Sequence, residues 1–132
     1  MEIKVGVVGA TGYAGAELVR LLLNHPYAKL TAISSVTFEG QKISEVYPSY
    51  LGLCDMVCKT QEEVVEKCDV VFAALPHGLS QELAAACAKR MKFFIDLGAD
   101  FRLEDEETYK TWYGCEFLDK ALHEQAVYGL PE

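Results

Sequence analysis

The run Lys4-Val5-Gly6-Val7-Val8-Gly9-Ala10-Thr11-Gly12-Tyr13-Ala14-Gly15 constrains this chain more than any other stretch. Val5, Val7 and Val8 favour a strand, and no charge interrupts them after Lys4. Gly9, Gly12 and Gly15 follow at three-residue spacing, and Ala14, Leu18, Leu21 and Leu22 then recur at helical period. Strand, glycine turn and helix in immediate succession open a βαβ unit. Unpaired amides at the helix start supply donors and a partial positive charge, which suits a dinucleotide pyrophosphate. In this reading Gly9 allows the tight turn, Gly12 lets backbone approach the phosphate, and Gly15 lets the helix lie close to the strand. Thr11, Tyr13 and Ala14 complete the phosphate-facing backbone. The form is Gly-x-x-Gly-x-x-Gly, and a glycine turn with no ligand is the plainer alternative.

The rest of the chain continues the alternation. The first strand is expected over Ile3–Val8 and the first helix over Tyr13–Leu23, ended by Asn24-His25-Pro26. A second strand is expected over Leu30–Ser34. A nicotinamide dinucleotide without a 2′-phosphate usually meets Asp or Glu at this strand tip, to bond the ribose hydroxyls. Here the chain reads Ile33-Ser34-Ser35, and two hydroxyls can donate to a 2′-phosphate. That favours NADP over NAD, with ordinary turn serines as the alternative and Glu39 close by in sequence.

Residues 36–54 hold Gly40, Pro48 and Gly52, with Tyr47 and Tyr50 between, and predict an irregular excursion with a short helix at Ile43–Tyr47. A short strand is expected at Asp55–Cys58. Thr60-Gln61-Glu62-Glu63 fits a capping box before a helix at Gln61–Glu66. A buried strand, Asp69–Ala74, runs into Leu75-Pro76-His77-Gly78 and a helix at Leu79–Lys89 with Leu79, Leu83, Ala86 and Cys87 on one side. Ligands of open α/β sheets lie beyond the carboxyl ends of the strands. Leu75, Pro76 and Gly78 are therefore expected to line the ribose–nicotinamide channel, with His77 beside them in a binding or structural role. A strand at Lys92–Leu97 leads to Gly98-Ala99-Asp100-Phe101-Arg102, where Asp100 pairs with Arg102 or Arg102 faces a phosphate. Glu104–Glu107 begin a helix whose Tyr109, Trp112 and Tyr113 share one face. Phe117, Leu118, Ala121 and Leu122 suggest a short helical face, Ala126–Tyr128 a last strand, and Gly129–Glu132 a turn.

A chain of 132 residues that is 51% apolar suffices for one packed core, so residues 1–132 are expected to form a single domain. A net charge of −8 argues against a nucleic-acid or anionic-membrane surface. It does not exclude an acidic ligand held at helix termini. No run approaches the roughly 18 apolar residues of a membrane span, and Met-Glu-Ile-Lys has no signal-peptide character. The five cysteines, Cys54, Cys58, Cys68, Cys87 and Cys115, form an odd set in apolar or helical context, as expected of a reduced cytoplasmic protein.

Four stretches together resemble the amino-terminal domain of the N-acetyl-gamma-glutamyl-phosphate reductase family. They are Gly9–Leu18 with Arg20-Leu21-Leu22, Leu75–Gly78, Asp96–Arg102 and Tyr128–Glu132. The glycine motif alone also fits aspartate-semialdehyde dehydrogenases, whereas Ala99–Arg102 and Tyr128–Glu132 point to the arginine-pathway enzyme. The resemblance implies a doubly wound, mostly parallel Rossmann-like α/β fold that binds NADP. It also implies an oxidoreductase of arginine biosynthesis that converts N-acetyl-glutamyl phosphate to N-acetyl-glutamate semialdehyde with release of phosphate. In that family a cysteine thiolate attacks the acyl phosphate, the thioester accepts hydride, and a second-domain histidine acts as acid or base. The family's nucleophile lies in a Pro-Gly-Cys motif beyond the stretch matching Gly129–Glu132. No cysteine here has Pro-Gly before it, and Tyr113 stands where proline would precede Gly114-Cys115. The expectation is therefore an NADP-binding domain that is inactive alone, with no catalytic residue and no metal. It would serve a catalytic domain outside this chain, within an enzyme that is homo-oligomeric at full length. Two rival readings stay open, the coenzyme domain of another semialdehyde dehydrogenase and a non-catalytic nucleotide-sensing domain.

Overall fold

The computed structural model describes residues 2–130. The first turn of the fold follows directly from the valine run. Strand β1, Ile3–Val8, points Val5 and Val7 to one face and Val8 to the other, and all three are buried. A strand covered on both faces belongs at the centre of a parallel sheet. The sheet has four parallel strands in the order β2-β1-β3-β4, with β2 at Ala28–Ser34, β3 at Val70–Ala73 and β4 at Phe93–Asp96. Strand β2 begins two residues before the expected Leu30.

Helix α1, Tyr13–Leu23, packs with β1 and β2 on one face of the sheet. Its buried stripe is Gly15, Val19 and Leu22, and not the expected row through Ala14 and Leu21, which are exposed. Apolar residues stand on both sides of this helix, so periodicity alone left its inward side open, and the close approach at Gly15 fixes it. Helix α2, Ile43–Val46, and a 3-10 turn at Pro48–Tyr50 close the same face, with Ile43 and Tyr50 in one core cluster beside Val5, Val7, Val19 and Ile33.

On the opposite face lie α3, Gln61–Lys67, and α4, Ser80–Lys89. Val64, Val65, Cys68, Leu83 and Cys87 meet Val8, Ala32, Val71 and Ala73 there. Gly6 is required beneath α3, since a Cβ would overlap the Val64 side chain. The capping box of α3 forms as expected, with Thr60 Oγ1 accepting from the Glu63 amide at 3.2 Å and Glu63 accepting from the Thr60 amide at 3.1 Å. Helix α4 buries Ser80, Gln81, Leu83, Ala84 and Cys87, whereas the expected Leu79 is exposed and Ala86 only half-buried.

Three further expectations are corrected. Asp55–Cys58 is no strand: it holds one isolated bridge, Val57 with Lys42, and a second, Lys59 with Ser34, follows it. Helix α5, Glu106–Tyr113, does not bury its aromatics together: Tyr109 is wholly buried and Trp112 is 77% exposed. Helix α6, Lys120–Gln125, begins after Phe117 and Leu118, because Asp119 caps it through the Ala121 and Leu122 amides. Residues 126–130 pair with no strand among the described residues. Of the turn expected at Gly129–Glu132, Pro131 and Glu132 lie outside the described residues.

Candidate coenzyme-binding site

Chain order and strand order together locate the site. The chain passes from β1 to β2 on one side, then returns to β3 on the other, so the sheet's switch point lies between β1 and β3. The glycine turn leaves the end of β1 at that point. Gly9 has φ +82°, and a Cβ there would overlap the Ala74 carbonyl oxygen at the end of β3. A Cβ on Gly15 would overlap the Gly9 carbonyl oxygen, which lets α1 start close against the turn. Gly12 differs from both. Its φ is −72°, and a Cβ there would stand 3.6 Å from the Gly9 carbonyl oxygen, an ordinary contact. Neither packing nor conformation requires a glycine at 12. What glycine adds there is room above the helix start, a cradle that a side chain would fill.

The turn is tied to β2 by the Gly9 and Ala10 amides, which donate to the Ser34 carbonyl at 3.1 and 3.0 Å. The first helical bond of α1 runs from the Ala16 amide to the Gly12 carbonyl at 2.8 Å. The amides of Tyr13, Ala14 and Gly15 precede it and have no intrahelical acceptor. The capping residue, Gly12, offers no side-chain acceptor, and no acid occupies the first turn. Gly12, Tyr13 and Ala14 are exposed. This end of α1 is an open seat for an anion, and its residues fit a pyrophosphate.

At the tip of β2, Ser34 and Ser35 are both buried and line a cleft of about 240 Å³ with Glu39, Lys59, Thr60 and Glu62. Ser35 Oγ lies 2.6 Å from Thr11 Oγ1 and accepts from the Phe38 amide at 3.2 Å, so it joins the glycine turn to the cleft. Sequence reading missed Lys59, the cation among the described lining residues. Its signal is the Ser34–Lys59 bridge, visible only once the excursion has folded back on β2. Reading also missed the two excursion tyrosines. Tyr47 Oη donates to the Thr11 carbonyl at 2.7 Å, and Tyr50 Oη donates to the Ala16 carbonyl. They buttress the turn from 34 and 36 residues away.

The second lip follows β3. Leu75 is half-buried, whereas Pro76, His77 and Gly78 are exposed, and Gly78 has φ +88°. The His77 ring lies 5.5 Å from that of Tyr113. The expected Asp100–Arg102 pair does not form. Asp100 is fully buried: Oδ1 accepts from the Gly78 amide at 2.6 Å and from Tyr109 Oη at 2.7 Å, and Oδ2 accepts from the Ser80 amide at 2.9 Å. Arg102 Nη2 donates instead to Tyr113 Oη at 2.9 Å. The capping position of α4 is Leu79, which has no acceptor, so the first amides of α4 need one from elsewhere. Burial, with the Asp100 carboxylate beside it, pushes the Tyr109 phenol far above its ordinary range. Asp96 accepts from Ser80 Oγ at 2.9 Å and the Gly98 amide at 2.8 Å, and burial raises its carboxyl.

Residues 4–132 match the family described as "Semialdehyde dehydrogenase, NAD binding domain". The chain belongs to this family. It is 52% identical over 130 residues to N-acetyl-gamma-glutamyl-phosphate reductase of Clostridium beijerinckii, covering 98% of this chain and 38% of that protein. The reductase of Brachyspira hyodysenteriae is also 52% identical over 130 residues, covering 98% of this chain and 37% of that protein. The chain thus spans well under half the length of the curated relatives it matches. Among solved structures, aspartate semialdehyde dehydrogenase with NADP from Candida albicans superposes with a TM-score of 0.68 at 23% identity, over 80% of this chain and 32% of that one. Aspartate semialdehyde dehydrogenase II of Vibrio cholerae gives 0.65 at 19% identity, over 80% and 34%. At these identities the structures establish the Rossmann-like fold alone.

The five cysteines are all free, and Cys54, Cys58, Cys68 and Cys87 are buried. Burial pushes the Cys58 and Cys68 thiols up, and that of Cys87 up to about 11. Such thiols are packing groups, not nucleophiles. Among the described residues no helix is long and apolar enough to cross a membrane, and no cluster of His, Cys, Asp or Glu could hold a metal.

Proposed function

We propose that this chain is the NADP-binding domain of an N-acetyl-gamma-glutamyl-phosphate reductase, working with a catalytic domain elsewhere in a longer protein. The observation that carries the coenzyme reading is the open start of α1, with no acid and no side-chain cap, beside the Ser34–Ser35 cleft. The substrate class, N-acetyl-glutamyl phosphate, rests on the name shared by relatives about half identical to the chain. So does the place in arginine synthesis.

The bound coenzyme would supply hydride to an acyl group. The chain's own residues bind and orient. Backbone at Thr11, Gly12, Tyr13 and Ala14 holds the pyrophosphate, with Gly9 and Gly15 shaping the turn. Ser34 and Ser35 face the adenosine 2′-phosphate, with Lys59 as the cation beside it and Glu39 and Glu62 as the acids of the same cleft. Leu75, Pro76, His77 and Gly78 form the lip on the nicotinamide side. None of the four buried cysteines suits attack on an acyl phosphate, and half-buried Cys115 follows Tyr113-Gly114 rather than the Pro-Gly of the family's nucleophile, so the nucleophile is assigned to another part of the protein. The longer protein is homo-oligomeric and cytoplasmic in this reading, the latter supported by five free cysteines.

The test is a calorimetric titration with NADPH and NADH, before and after the double change Ser34→Ala with Ser35→Ala. The expected result is tighter NADPH binding by the unaltered chain, with NADPH losing more than NADH in the variant. Equal losses would remove the 2′-phosphate role, and binding of neither by the folded chain would remove the coenzyme reading.

A further inference from the structure

We propose that Asp100 is a positioning residue for the nicotinamide half of the coenzyme, acting through the turn at Leu75–Leu79 without touching the ligand. The inference rests on the coenzyme reading above and assigns a role to a carboxylate that reading does not use. A single buried side chain takes two amides at the C-terminal end of the turn: Oδ1 receives the Gly78 amide and Oδ2 the Ser80 amide. Between those amides sits Leu79, exposed and without a side-chain acceptor of its own. Within the turn, the Leu79 amide donates to the Pro76 carbonyl at 3.3 Å, a long bond. The left-handed conformation at Gly78 is therefore held mainly from outside, by a residue 22 positions further along the chain.

The carboxylate is itself fixed. Tyr109 Oη donates to it at 2.7 Å, and Tyr109 is wholly buried between the rings of Tyr113 and Phe117 at 5.5 and 5.6 Å. Ser80 is held a second time by its hydroxyl on Asp96. Carboxylate bonds to backbone amides at a helix start are charge-assisted and directional. The turn they fix follows β3, next to the switch point, where the half of a dinucleotide remote from β2 must lie. In the coenzyme reading the adenosine half lies over β2, across β1 from the turn after β3 that Asp100 holds. The two halves of the ligand should therefore respond differently to its loss.

Two probes separate them. NADPH spans both halves, whereas adenosine 2′,5′-bisphosphate fills only the β2 side. Binding of each is measured calorimetrically to the unaltered chain, Asp100→Ala, Asp100→Asn and Gln81→Ala. Gln81 is a structural control: it is buried on α4 and holds the Glu116 carbonyl and the Leu118 amide, but does not touch the turn. The expected result is about a tenfold loss of NADPH affinity in Asp100→Ala, the order of one ordinary hydrogen bond's net worth, with bisphosphate affinity unchanged. Asp100→Asn, which keeps one carbonyl acceptor, should fall between, and Gln81→Ala should leave the ratio of the two affinities unchanged. Should Asp100→Ala fail to fold, Asp100→Asn carries the same ratio test. Parallel losses for both probes, or no loss for either, would overturn the positioning role while leaving the coenzyme reading intact. An unaltered chain that binds neither probe would bring down the coenzyme reading, and this inference with it.

Discussion

The N-termini of α1 and α4 open on the same edge of the same sheet, and they are finished in opposite ways. Helix α1 starts from Gly12 with no side-chain acceptor and no acid in its first turn. At α4 the capping residue is equally bare, but Asp100 reaches across and takes the Gly78 and Ser80 amides. One helix end is left to an external anion, and the other has its anion built in. The contrast explains how a chain of net charge −8 can bind a phosphate-rich ligand. Long-range charge is screened, so the local donors at one terminus decide. In the proposed reading it also gives the ligand a direction, with phosphates at α1 and the nicotinamide end toward the turn before α4.

The largest expected effect comes from spoiling the close start of α1. Gly15→Ala places a Cβ on the Gly9 carbonyl, which is backbone and cannot swing aside. A loss of about 3 kcal/mol or more of unfolding free energy is expected, read by urea denaturation. A loss below about 1 kcal/mol would mean that α1 can lift off the turn, and that its open end is not a fixed seat.

Next in size is the change that makes α1 resemble α4. Gly12→Asp puts a carboxylate at a capping position whose φ of −72° and ψ of 166° suit it. Stability is expected to stay within about 0.5 kcal/mol of the unaltered chain, since Asp and Gly caps differ by only a few tenths. NADPH affinity is expected to fall by about a hundredfold, because the acid fills the cradle and repels phosphate at short range. Retained affinity would show that the pyrophosphate does not sit at α1.

This asymmetry was only half legible in the sequence. The α1 end was readable because every part of it is local: the valines, the three glycines and the helix lie within 21 consecutive residues, Ile3–Leu23, and both elements have the expected bounds. The α4 end was not, because its acid comes from the loop after another strand. Local reading offered Asp100 the nearest cation, Arg102, whereas burial gave it two amides and a phenol. The same distance hid Tyr47 and Tyr50, which lie in the least regular part of the chain and yet hold the most regular part in place. Trp112 was misplaced for a different reason. Spacing put it on the face of Tyr109, but α5 buries only the side that meets Asp100, Phe117 and His123.

A pH experiment sharpens the comparison at the α4 end. His123 is stacked against Phe117 at 3.6 Å and Phe101 at 4.5 Å, and its Nε2 lies 3.1 Å from Gln81 Oε1 on α4. Its Nδ1 is buried with no partner, and burial lowers its pKa from the ordinary value of 6.5. The folded state thus favours the neutral ring, and the unfolded state binds more protons. The stability this contributes is present above pH 6.5 and is lost as pH falls through the lowered folded value. The melting temperature is expected to fall between about pH 7 and pH 5.5, above the range in which the carboxylates of Glu63, Asp105 and Glu106, all with lowered pKa, titrate. His123→Phe keeps the stack and should flatten that slope. An unchanged slope would place its origin elsewhere.

The smallest effect is expected where the two ends of the sheet differ in cover. Helix α1 stops over β1 and β2, so on its face Val70 and Phe72 of β3 are still partly covered, whereas their β4 neighbours Phe93 and Ile95 are exposed. Phe93 is 76% exposed, whereas Leu83, packed from α4 on the other face, is 4% exposed. An area argument then makes the two large apolar residues unequal, since only surface already removed from water can be lost. Leu83→Ala, the buried reference, is expected to cost about 2 kcal/mol, the low end for a core leucine. Phe93→Ser should stay within about 0.5 kcal/mol, both measured by urea denaturation. A loss from Phe93→Ser as large as that from Leu83→Ala would mean that the β4 row is covered in solution, by another copy of the chain, and would predict a concentration-dependent midpoint. A small loss independent of concentration would confine the domain's own stabilising core to the helices of α1, α3 and α4.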